Sequence, residues 1–179
     1  MGTFSIWHWL LVLLIVGGIV SVIVITARRR DPMHPSQISG FGGWLLLLAI
    51  GQCLSPLRNL GELAAGAEGY RTAATMPNGT VLVAGEILIN LAFIAFQVYV
   101  VVAMLKRWVI FPRLFLYQWF LIMALPIIDV VWVATIMGMP LSRVFPATEL
   151  GSAIGAVIAL GIWVWYTSVS VRVRNTFTR

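Results

Sequence analysis

Charge is the scarcest ingredient of this chain. Of its 179 residues, 12 are Lys or Arg and 6 are Asp or Glu, a 10% charged share, where soluble domains carry about 25%. Histidine and cysteine are almost missing too, with only His8, His34 and Cys53. A single thiol excludes an internal disulfide, and a thiol inside an apolar run says nothing about redox compartment. The two histidines are separated by an apolar run of membrane-crossing length, so they cannot share a metal, and one cysteine cannot complete a tetrahedral set. Neither a metal nor a cofactor is expected.

What the chain has in abundance is hydrocarbon. It is 60% hydrophobic, with a mean hydropathy of +0.97. Five apolar stretches stand out, at residues 7–26, 41–57, 81–105, 114–137 and 150–169. A bilayer core of about 30 Å takes roughly 20 helical residues to cross. Lipid offers no partners to backbone N–H and C=O groups, so a crossing must be a helix or belong to a closed barrel. Barrel strands alternate apolar and polar residues over about ten positions, whereas Trp44 to Ile50 and Val100 to Leu105 are apolar on every face. The expected fold is all-α, an integral membrane protein with five transmembrane helices.

The net charge of +6 raises the question of nucleic acid, for which clustered Lys and Arg are the usual mark. Here the cations sit at the ends of the apolar stretches. With alternating crossings, Arg28, Arg29, Arg30, Lys106, Arg107, Arg113, Arg172, Arg174 and Arg179 share one side, and Arg58, Arg71 and Arg143 the other. Basic loops stay cytoplasmic, which predicts an N-terminus outside and a C-terminus inside. Nucleic acid is not expected as a partner; the lipid bilayer is. Stretch 41–57 is short and holds Gln52, Ser55 and Pro56. A re-entrant loop there would move Lys106, Arg107 and Arg113 outside, so a full crossing is the better reading.

Three regions follow. Residues 1–30 form an N-terminal anchor, which is not a cleaved signal peptide because its positive charges follow the apolar run instead of preceding it. Residues 31–39 (DPMHPSQIS), with two prolines, are a cytoplasmic tether. Residues 40–179 form a four-helix membrane domain, with its helices in a bundle. The outer segment 58–80 is expected to be a loop with too little apolar surface to fold alone. Asn78-Gly79-Thr80 within it matches a glycosylation sequon but reads as an Asn-Gly turn. The inner loop 106–113 (KRWVIFPR) and the tail 172–179 (RVRNTFTR) are basic and suit the headgroup layer, where Trp settles and Arg meets anionic lipid.

Polar side chains inside the apolar stretches need an explanation, since a charge in hydrocarbon costs about 2.5–3.5 kcal/mol on insertion scales. Asp129 lies in stretch 114–137, Glu86 in stretch 81–105, and Arg58 closes stretch 41–57, all three at the outer side. They form a candidate cluster, with Gln52 and Ser55 about a helical turn deeper. Three readings are open to it: a structural clasp between Arg58 and one of the acids, a proton or ion site, or Glu86 and Arg58 merely interfacial and unpaired. Glu86, Asn90 and Gln97 are four and seven residues apart, on one helical face, which should turn inward. In stretch 150–169, Gly151, Gly155 and Ala159 make a small-residue stripe suited to close helix packing. Catalysis is not expected. Only His8 reaches the outer side to serve a nucleophile, and Asp129 with Glu86, the one carboxylate pair able to share a proton, has no accompanying motif.

Two resemblances accompany these residues. Gly42-Gly43-Trp44-Leu45, Ala49-Ile50-Gly51, Leu54-Ser55-Pro56-Leu57, Phe111-Pro112-Arg113, Asp129 and the closing Arg172-Val173-Arg174-Asn175-Thr176-Phe177 resemble a bacterial inner-membrane family catalogued as domain of unknown function 2569. The likeness implies a four-helix inner-membrane domain over 40–179 and brings no activity with it. Residues 1–15 look like the start of the TatA subunit of twin-arginine translocation, whose N-terminus also lies outside, with a polar residue where His8 stands. After that the hinge and surface helix of TatA are missing. The leading expectation is a non-enzymatic accessory, assembly or regulatory component acting through helix contacts, with another membrane protein or a second copy as partner. A small proton- or ion-coupled transporter using Asp129 and Glu86 is the alternative, and a translocase-associated protein the third.

Overall fold

The computed structural model describes residues 38–140 and 150–179, without the side chains of 150–154 and 156. The anchor, its TatA-like residues and most of the tether lie outside the described residues. Within them the chain is all-α and holds no strand. The helices are α1 (Trp44–Ala65), α2 (Ala67–Ala74), α3 (Gly79–Leu105), α4 (Phe111–Met137), α5 (Leu150–Val169) and α6 (Val171–Thr176).

Helices α3 and α4 have 27 residues each, about 40 Å of rise. Both are long and apolar enough to cross a membrane. Helix α1 corrects the expected boundaries of its stretch. It starts at Trp44, runs unbroken through Pro56 and ends at Ala65, so it does not finish at residue 57. Beyond Leu57 the sequence RNLGELAA is polar but rich in good helix formers, and Arg58 and Glu62 pair along one face at 2.8 Å. The 58–80 segment is therefore mostly helix. Its remainder contains α2, which packs on α3, and Asn78, which takes the left-handed conformation at φ 61°. That geometry fits the Asn-Gly turn.

Packing follows chain order: α1 lies against α3, α3 against α4, and α4 against α5. At one end the ring closes, where Trp44 of α1 meets Trp163 of α5 edge-on at 6.1 Å. This is the end that carries Lys106, Arg107, Arg113, Arg172, Arg174 and Arg179, and it is called the basic end below. Nearly all the buried apolar side chains are here, among them Leu45, Val100, Met104, Phe111, Phe115, Val173 and Phe177. The Phe111 ring stacks on Phe177 at 4.4 Å, and Phe41 meets Phe177 edge-on at 6.2 Å.

The C-terminal segment thus differs from the expected interfacial tail. Arg174 and Arg179 are exposed and Arg172 is half-buried, while Val173 and Phe177 are built into the core. Ser170 caps α6 by accepting a hydrogen bond from the Val173 N–H. The Gly40 N–H donates to Thr176 Oγ1 at 2.8 Å. Farther on, the Val109 N–H donates to the main-chain oxygen of Arg179 at 2.6 Å, and the Arg179 N–H to that of Arg107 at 3.2 Å. The segment is a clamp across the ends of α1, α3 and α4.

Candidate functional site

The polar side chains inside the bundle sort into two layers. The first is a set of amides near the basic end. Gln52 of α1 donates from Nε2 to Gln118 Oε1 of α4 at 2.6 Å. Gln97 of α3 accepts at Oε1 from Asn59 Nδ2 at 3.0 Å and donates from Nε2 to Ser55 Oγ at 2.9 Å. Gln52, Gln97 and Gln118 are 5%, 1% and 2% exposed, so these bonds have no competition from water. Counted from the basic ends of their helices, the three lie about 11–12 Å deep. Gln52 and Ser55 therefore serve this amide layer and not the acids to which the sequence assigned them.

The second layer holds the carboxylates, and its position depends on a close helix crossing. The Trp132 ring of α4 lies against α3 at Gly85, where any Cβ would run into it. Its Nε1 donates to the Leu82 carbonyl at 3.1 Å. Gly85 precedes Glu86, and Asp129 is one turn before Trp132, so this contact brings both carboxylates to the same level. They lie about 27–28 Å from the basic ends of α3 and α4. Each is within electrostatic range of the other. Helix α2 adds a third polar group. Burial, and then the Glu86 and Asp129 carboxylates, push the Tyr70 phenol above its ordinary value of 10.0. Beside Trp132, an open apolar groove of about 310 Å³ is lined by Ile127, Ile128, Val131 and Thr135.

Arg58 does not belong to this layer, which corrects the proposed clasp. Its guanidinium pairs with Glu62, one turn along α1, with the two side chains 77% and 59% exposed. A partner on the same helix face is reached without ordering a second helix, and it wins. Among the described residues no ion pair reaches Glu86 or Asp129. The stripe on α3 is only partly inward: Gln97 is buried, Glu86 half-buried, and Asn90 exposed, its amide turned back to the Glu86 carbonyl oxygen at 2.9 Å. On α5, Gly155 and Ala159 are exposed, and no described atom lies within 4 Å of a Cβ added at Gly155. The side chain position of residue 151 lies outside the described residues.

Sequence reasoning missed Gln118, Asn59, Gly85, Trp132 and Tyr70. Gln118 had a readable signal, being the one amide in stretch 114–137. Tyr70 had none while its segment was taken for a loop. Chemically, two carboxylates with a phenol near them, and no ion-pair partner among the described residues, can hold a proton, attract a cation, or accept hydrogen bonds from a basic partner.

The sequence model of a family described as Protein of unknown function (DUF2569) matches residues 38–178, in agreement with the resemblance over 40–179. No curated protein matches the chain, and no solved structure does. The family match begins after residue 15, so the likeness to TatA gains no support.

Proposed function

This chain belongs to the DUF2569 family, and from that premise we propose that it is a multi-pass component of the bacterial inner membrane, acting through helix contacts as an accessory, assembly or regulatory subunit. In this reading there are five crossings, with the N-terminus outside and the basic end at the cytoplasmic face. The observation that carries it is the outward small-residue face of α5. Gly155 and Ala159 are exposed there beside Ile158 and Ile162, each 60% exposed. Small residues allow a neighbouring helix backbone to come close, which is what drives helix association where lipid removes the hydrophobic term. The test is a photo-crosslinking residue at Ala159 in native membranes, with Leu88 (69% exposed) as the comparison site. A discrete adduct at 159 and none at 88 supports the reading; lipid adducts alone at both sites defeat it.

A second reading is favoured by the pair of carboxylates, which no ion pair reaches among the described residues. Under it the chain is a small proton- or cation-coupled carrier that uses Asp129 and Glu86. In proteoliposomes Asp129→Asn would abolish a pH-driven flux while the protein still inserts. If the wild-type protein carries no flux, this reading is withdrawn and the helix-contact role stands alone.

A further inference from the structure

The clamp at the basic end gathers cations from three separate parts of the chain. Lys106 ends α3, Arg113 begins α4, and Arg172, Arg174 and Arg179 belong to the closing segment. Backbone hydrogen bonds fix Arg179 beside residues 107 and 109, and the Phe111 and Phe177 stack fixes α6 beside the start of α4. The Arg172 guanidinium lies over Gly42, at the turn before α1, so close that a Cβ there would meet its Nη1 at 2.6 Å. Lys106 Nζ sits 5.4 Å from the Trp108 ring. Lys106, Arg113, Arg174 and Arg179 are exposed.

Among the described residues no Asp or Glu side chain lies at this rim. The Asp and Glu side chains among the described residues are Glu62, Glu68, Glu86 and Asp129, all toward the opposite end. A positive rim at the end of membrane-length helices, with Trp108 beside it, meets phosphates at headgroup depth, and basic pockets between helices on the cytoplasmic side are where acidic headgroups bind. We infer that the clamp formed by residues 40–43, 106–113 and 170–179 is a binding site for the headgroup of an anionic phospholipid. Lys106 and Arg174 supply exposed charge, and Arg172, held over Gly42, supplies a fixed hydrogen-bond donor. The inference rests on the membrane reading above and needs no protein partner.

The test uses the full chain, first shown to stay in the membrane pellet after carbonate washing; release at that step would defeat the membrane reading itself. Purified in a neutral detergent, the protein is titrated with phosphatidylglycerol and, separately, with phosphatidylcholine, and bound lipid is counted by native mass spectrometry. Phosphatidylglycerol is expected to bind more tightly, with Lys106→Gln and Arg174→Gln each weakening it about fivefold. Because both side chains are exposed, these variants leave the fold intact; Arg172→Gln is the third arm. Arg58→Gln with Arg71→Gln, at the other end, should change nothing. Equal binding of the two lipids, an equal loss in the Arg58 and Arg71 variant, or displacement of the lipid by millimolar inorganic phosphate would each overturn the site.

Discussion

The two ends of the bundle hold their helices together in opposite ways. At the basic end, α1, α3, α4 and α6 interlock through large rings and aliphatic side chains, and the closing segment bolts them with backbone hydrogen bonds. At the acidic end Leu82 and Ala134 are the buried hydrophobic residues among those described. The helices touch instead through one tight crossing, Trp132 on Gly85, and leave two carboxylates and a phenol nearby. Among the described residues, buried packing is concentrated where the cations are, and the two carboxylates and the phenol lie where it is thin. Regions that must bind or move are generally taken from the less stable parts of a fold.

This contrast can be broken or sharpened by mutation. The largest effect is expected at the clamp. Phe177→Ala should cost about 3–5 kcal/mol in detergent unfolding, the usual range for deleting a buried ring, while Phe120→Ala, at a 52% exposed position, should cost little. If the two cost the same, the basic end is not the stable one. Next comes the amide layer. Gln97→Leu strands both Asn59 and Ser55, and a buried polar group without its partner costs about 1–3 kcal/mol. A loss no larger than the ~0.6 kcal/mol average of membrane hydrogen bonds would mean that water reaches this layer.

A comparable or smaller effect is expected at the crossing. Gly85→Leu forces the Trp132 ring away, an overpacking change of about 1–3 kcal/mol, and its signature is a shift in tryptophan fluorescence. An unchanged spectrum would deny the contact that levels Glu86 with Asp129. The smallest effect is on Tyr70. Its raised phenol pKa means that its contribution to stability is fully present below the ordinary value of 10.0 and is lost as pH rises through the raised one. Absorbance titration, with Tyr70→Phe as the blank, should place this phenol above 10, and Asp129→Asn should bring it down. A phenol unmoved by that change is not near the carboxylates.

How far the sequence could be read differs along the same axis. The three later stretches, 81–105, 114–137 and 150–169, fall within three residues of Gly79–Leu105, Phe111–Met137 and Leu150–Val169, because an unbroken apolar run reports its own length. The family resemblance was legible too, in short motifs at the right order, and the match over 38–178 confirms it. The end of α1 was not, since RNLGELAA is polar enough to pass for a loop while its Leu, Ala and Glu still favour helix. Pairings were the least legible. Arg58 faces Glu62 at one turn and would need the correct rotation of two further helices to reach Asp129, and rotation about a helix axis is not written in hydropathy. The buried side of the RVRNTFTR tail was hidden by its arginines, since Val173 and Phe177 alone are too few to show periodicity.

In the proposed topology the basic end is sealed by packing at the cytoplasmic face and the acidic end opens to water outside. Single cysteines placed at Asp129, Gln118 and Arg174 in a Cys53→Ser background, treated in intact cells with a membrane-impermeant maleimide, test this directly. The predicted result is labelling at 129, none at 118, and labelling at 174 only after the cells are permeabilised. Labelling at 174 in intact cells, or a residue 129 that stays unreactive, would contradict it.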